Sequence, residues 1–132
     1  MIIPDDFPKK YVAAAVDLSS EGLAGFAWDL ARTLEILEYL RSKKEIVVLG
    51  GDFYLSLPSK KVIYPLLENW SYEPAESKDN HSISIEKAIK AVEAYKYRPI
   101  ANDVIVDLVI SGPQNSGQIK SPFDFLKTHI QK

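Results

Sequence analysis

No cysteine occurs among the 132 residues. Disulfides, thiolate zinc sites and thiol catalysis are therefore excluded, and the absence fits a reducing compartment. Only two histidines, His81 and His129, are present, each in a polar or terminal stretch and not at helical spacing. A histidine metal pair is excluded and an exposed structural role is expected for both. No apolar run approaches the roughly 20 residues that cross a bilayer. The opening MIIPDDFPKKY lacks the basic and apolar regions of a secretory signal, so a cytosolic protein is expected. The net charge is −2 and the basic residues are dispersed, which argues against a dedicated nucleic-acid binder.

What remains is an ordinary globular composition, 46% hydrophobic and 26% charged, long enough for one self-sufficient core. At this length about two thirds of the chain's surface can be buried on folding, and residues 1–132 read as a single domain.

Two helices and several strands are legible. YVAAAV at 11–16 reads as a short strand. From about Phe26 the apolar positions Ala27, Leu30, Ala31, Leu34, Leu37 and Leu40 recur every three or four residues, a helical stripe. EIVVLGGDFYLSL, PSKK and VIYPLL follow as strand, turn and extended chain, with Pro65 expected to limit the last. A second helix, capped by Ser84, presents Ile85, Ala88, Ile89, Val92 and Tyr95 and ends before Pro99. VIVDLVI at 104–110 is apolar on both faces except at Asp107, as expected inside a sheet. SGPQNSGQIKSP reads as a loop and FDFLKTHI as a closing helical turn. This pattern predicts an α+β two-layer sandwich: a mostly antiparallel sheet of four to five strands with two main helices packed on one face.

The glycines of VVLGGDFYL ask for an explanation, because glycine weakens a strand interior. A β-bulge, or a close approach of the helix to the sheet, accounts for Gly50 and Gly51, and a bulge lets Asp52 leave the apolar face. LGGD is a poor phosphate loop: the further glycines or lysine, and the helix that should follow, are missing. Neither a nucleophile–base pair nor a cofactor cradle is evident, so no enzymatic activity, metal or cofactor is expected.

GGD followed by an apolar residue and Tyr54, the aromatic-bearing FAWDLARTLEIL before it, and Asn69-Trp70 with Tyr72 after it together resemble the immunity protein 40 family of bacterial polymorphic-toxin and contact-dependent inhibition systems. The resemblance covers residues 26–110. It departs at Phe53, where a smaller β-branched residue is expected, and at an insertion-like PLL before the NW dipeptide. It implies a non-enzymatic protein that binds the C-terminal domain of a cognate toxin in the producing cell. A nuclease is one class of toxin that fits, and the chain is expected to be monomeric when free.

The residues expected at such an interface are Asp52, Tyr54, Asn69, Trp70, Tyr72, Glu73, Glu76 and Asp79: aromatic anchors ringed by acids, suited to a basic partner. The alternative is a small ligand-binding or enzymatic domain with a pocket near Asp52, Tyr54 and Asp107.

Overall fold

A computed structural model describes residues 4, 6–18, 25–57, 59, 62–76 and 78–111. The loop and helical turn expected beyond Ser111, with His129, lie outside them. The chain runs α1 (Lys9–Ala14), β1 (Val16–Asp17), β2 (Phe26–Asp29), α2 (Leu30–Leu40), β3 (Val47–Leu57), β4 (Val62–Ser71), α3 (Asn80–Tyr95), a 3-10 turn (Ala101–Asp103) and β5 (Val104–Ser111). Five strands form one antiparallel sheet in the order β1-β2-β5-β3-β4. This is the expected α+β architecture, with β5 between β2 and β3 as its apolar sequence requires.

One sheet face carries the main core. Trp28, Val48, Phe53, Val104, Val106 and Leu108 pack there against Ile36, Leu37 and Leu40 of α2 and Ile85, Ala88 and Val92 of α3. The opposite face holds a smaller cluster of Leu18, Ala27, Tyr54 and Ile105. At one end α1 closes the main core. Phe7 lies edge-on to Trp28 at 6.2 Å, and the Trp28 indole N–H donates to the Tyr11 carbonyl at 2.6 Å.

Five expectations about local structure are corrected. The strand expected at 11–16 is helical up to Ala14, leaving Val16–Asp17 as strand. Pro8 occupies the cap position, and the following alanines favour helix. The helix expected from Phe26 begins at Leu30, because Asp29 caps it: its carboxylate accepts from the Arg32 N–H at 2.7 Å and pairs with the Arg32 guanidinium. Phe26–Asp29 instead pairs as a strand, with Trp28 opposite Val106.

The second helix begins one turn earlier than expected, capped by Asp79, whose carboxylate accepts from the Ser82 N–H. Ser84 is buried inside it, its hydroxyl accepting from the Val48 N–H at 2.9 Å. His81, expected to be exposed, is buried. Its Nδ1 lies 2.8 Å from the Ile46 carbonyl and its Nε2 3.1 Å from the Arg41 carbonyl. The ring thereby ties α3 to the α2–β3 connection. Pro65, expected to stop the extended chain, sits inside β4. As an edge strand, β4 tolerates a residue that cannot donate to a ladder.

Candidate functional site: the two faces of strands β3 and β4

The glycine pair organises everything around it. The β3–β5 register shifts between Val48 and Gly50, so a bulge resets the alternation of β3. Val48, on the helix side, therefore shares its face with Gly51 and Phe53, while Asp52 turns to the opposite face. Gly50 has φ +155° and sits so close to β4 that an added Cβ would lie 2.3 Å from the Trp70 carbonyl oxygen. Gly51 answers a different need. It is the cross-strand partner of Trp70, and a Cβ on it would fall 2.3 Å from the far edge of the indole. The large ring fills the space that the missing side chain leaves. The close approach expected of the helix is made instead by a tryptophan of the neighbouring strand.

From Trp70 an aromatic row crosses the helix-side face. Trp70 lies 5.5 Å from Phe53, Phe53 stacks on Tyr95 at 4.1 Å, and the Arg98 guanidinium covers Tyr95 at 4.3 Å. Arg98 in turn pairs with Glu68 of β4. The Tyr95 hydroxyl and the Arg98 guanidinium hold the Glu68 carboxyl below its ordinary value. Burial, then Glu68, pushes the Tyr95 phenol up to about 12. Phe53, a departure from the family pattern, is thus the middle of this stack.

The other face carries the carboxylates. Asp52 lies directly opposite Asp107 of β5 and opposite Asn69 of β4, and Tyr54 follows on the same face. Like charges placed opposite one another across a ladder destabilise. Burial first, and Asp52 second, raise the Asp107 carboxyl to about 6. Burial and the two aspartates raise Tyr54 as well. Gly25, at φ +106°, completes the surroundings: a Cβ there would come within 2.8 Å of the Asp107 carboxylate. The pocket trio of the alternative reading is therefore gathered on one face, with Tyr54 itself buried.

The connection from β4 to α3 is held by side-chain and backbone bonds. The Tyr72 N–H donates to the Leu49 carbonyl at 2.7 Å, and the Tyr72 hydroxyl donates to Asn80 Oδ1 at 2.5 Å. Asn80 also receives the Ala75 N–H and donates to the Ala75 carbonyl, both at 3.1 Å. On this clamped segment Glu73, Glu76 and Asp79 are exposed. The Asp79 carboxyl is lowered, first by the Ser82 N–H that it caps. Neither Glu73 nor Glu76 forms an ion pair among the described residues.

The expected interface residues thus fall into three groups. Glu73, Glu76 and Asp79 are exposed on the β4–α3 connection; Trp70 and Tyr72 are half-buried; Asp52 and Tyr54 lie with Asp107 on the far face, where the exposed Asn69 faces Asp52. The Asn80 clamp and the Glu68–Arg98 pair were not foreseen. Their partners are distant in sequence or carry no motif.

The sequence matches the family described as Immunity protein 40 over residues 17–110. The match runs from the end of β1 almost to the end of β5 and covers most of the chain. The chain belongs to the Immunity protein 40 family. The matched stretch reaches further toward the N terminus than the motif-bearing segment 26–110, to the last residue of β1. No curated protein and no solved structure matches the chain. Of the pieces that carried the resemblance, the glycine pair and the tryptophan of the NW dipeptide meet across β3 and β4 in this family member. Among the described residues no helix is long and apolar enough to cross a membrane.

Proposed function

We propose that this Immunity protein 40 family member neutralises a cognate toxin by binding the toxin's C-terminal domain in the cytoplasm of the producing cell, as a monomer and without any reaction of its own. The observation that carries the reading is the clamped β4–α3 segment, which holds exposed acids on a pre-ordered surface. Ordering that precedes binding lowers the entropic cost of association. Uncompensated acids draw in a basic partner and raise its capture rate. A basic nuclease domain fits that chemistry. Glu73, Glu76, Asp79 and Asn69 make the contacts in this reading, while Trp70 and Tyr72 keep the platform rigid.

Co-expression with the C-terminal domain of the toxin encoded beside this chain tests it. Restored growth is expected; continued killing despite soluble expression of both proteins rejects the reading. The gathering of Asp52, Asp107 and Tyr54 supports a second reading, a small-molecule pocket on the far sheet face. Binding of a small molecule that Asp107→Asn abolishes, with no protection conferred by the wild type, would favour it.

A further inference from the structure

The PLL stretch that departs from the family pattern leads into a bulge in the edge strand. Asn69 stands opposite Asp52 and Pro65 opposite Tyr54, so Leu66, Leu67 and Glu68 face the single residue Phe53. The three side chains of the bulge have separate fates. Leu66 turns in and packs against the main core. Glu68 is fastened to Arg98. Leu67, between them, is 96% exposed.

A bulge re-aims a side chain, and here both neighbours of the re-aimed residue are anchored. Leu67 is held out into water by a structure fixed on either side of it. It takes no part in the core, so its apolar surface contributes nothing to folding. Tyr97, next to Arg98, is 89% exposed, and Tyr64 of the same strand is 51% exposed. Exposed Asn69 lies two residues on in the same strand, and the exposed Glu73 and Glu76 follow beyond the end of β4.

The edge itself is a poor template for another strand. Pro65 has no N–H to offer, and the bulge interrupts the ladder. Edge-to-edge pairing with a second copy of this chain is disfavoured for the same reason. Insertion of a side chain is the mode of contact that the geometry permits.

We propose that Leu67 is the anchor by which this chain docks on its toxin domain. Leu67 enters an apolar socket whose rim is basic, complementary to Glu73 and Glu76. The inference rests on the toxin-binding reading above and adds the residue that dominates the contact. Leu67→Asp and Leu67→Ala are compared with the wild type by calorimetry against the purified C-terminal domain of the toxin encoded beside this chain. Val109→Asp, on β5 with β3 between it and the edge strand and 45% exposed in the parent, serves as the control.

Leu67→Asp should weaken binding by about 30-fold or more, as loss of a buried anchor does. Leu67→Ala should weaken it less, and Val109→Asp should leave it within about threefold of the wild type. Thermal midpoints of both Leu67 variants should stay at the wild-type value, because the side chain packs on nothing in the free protein. Wild-type binding retained by Leu67→Asp overturns the inference and leaves toxin binding standing. Absence of binding by the wild type removes the toxin-binding reading first. A wild-type dimer that Leu67→Asp converts to monomer also overturns the inference, assigning Leu67 to self-association.

Discussion

Replacing Asp107 by asparagine should make this protein more stable at neutral pH. In the native sheet the carboxyl is partly buried, faces Asp52 across the ladder, and is raised from 3.8 to about 6. A native-state value above the unfolded one means that the folded protein holds this proton more tightly than the unfolded chain. Stability from this group is therefore greatest in acid. It falls as pH rises from about 4 to 6 and stays reduced above that range.

At about 1.36 kcal/mol per unit, the full penalty at pH 7.5 is at most about 3 kcal/mol. Solvent on the exposed side screens it to about 1–2 kcal/mol. Asparagine keeps the shape of the protonated acid and carries no charge. Urea denaturation at pH 7.5 should show Asp107→Asn more stable by about 1–2 kcal/mol, with an unchanged m-value. At pH 4 the gain should vanish, because the native wild-type carboxyl is then already protonated. Asp52→Asn should recover part of the same gain, and the double variant less than the sum, since the two charges interact. A loss of stability at pH 7.5, or a gain that does not change with pH, would refute the reasoning.

Other outcomes follow from the same geometry. Gly50→Ala should destabilise by about 2–4 kcal/mol, because its Cβ meets a backbone oxygen and its φ is unfavourable. Gly51→Ala should cost about 1–3 kcal/mol through the displaced indole, and that cost should nearly disappear in a Trp70→Ala background, measured as a thermal double-mutant cycle. His81→Ala should lower stability by about 1–3 kcal/mol by leaving the Ile46 and Arg41 carbonyls without the ring, and should raise amide exchange in the α2–β3 connection. Glu73→Lys with Glu76→Lys should slow association with the toxin domain about tenfold at low salt. The difference should shrink at high salt as screening increases, read by stopped-flow fluorescence.

What the sequence disclosed, and what it hid, divides along the range of the interactions. The apolar stripe of α2 and the doubly apolar run of β5 declared themselves because periodicity is a local property. The boundary at Asp29 was not apparent. Ala27 happens to fall on the helical period, while the pairing of Trp28 with Val106 that makes this stretch a strand joins residues far apart in the chain. His81 looked polar and exposed for the same reason: the two carbonyls that enclose it come from Arg41 and Ile46.

In the site, the glycine pair signalled a bulge, and the structure adds that Trp70 occupies the space above Gly51. Asp107 stood out as a lone acid in an apolar strand. Its position opposite Asp52 depends on register, which the bulge sets and the sequence does not spell out. The PLL departure marked the edge-strand bulge without revealing that its middle residue points into solvent.

Titration of the purified chain with its cognate toxin, followed by assay of the toxin's activity in the same samples, tests toxin neutralisation most directly. A one-to-one complex whose formation extinguishes the toxin's activity in proportion to occupancy is the predicted result. A toxin that stays active at saturating concentrations of this chain would contradict it.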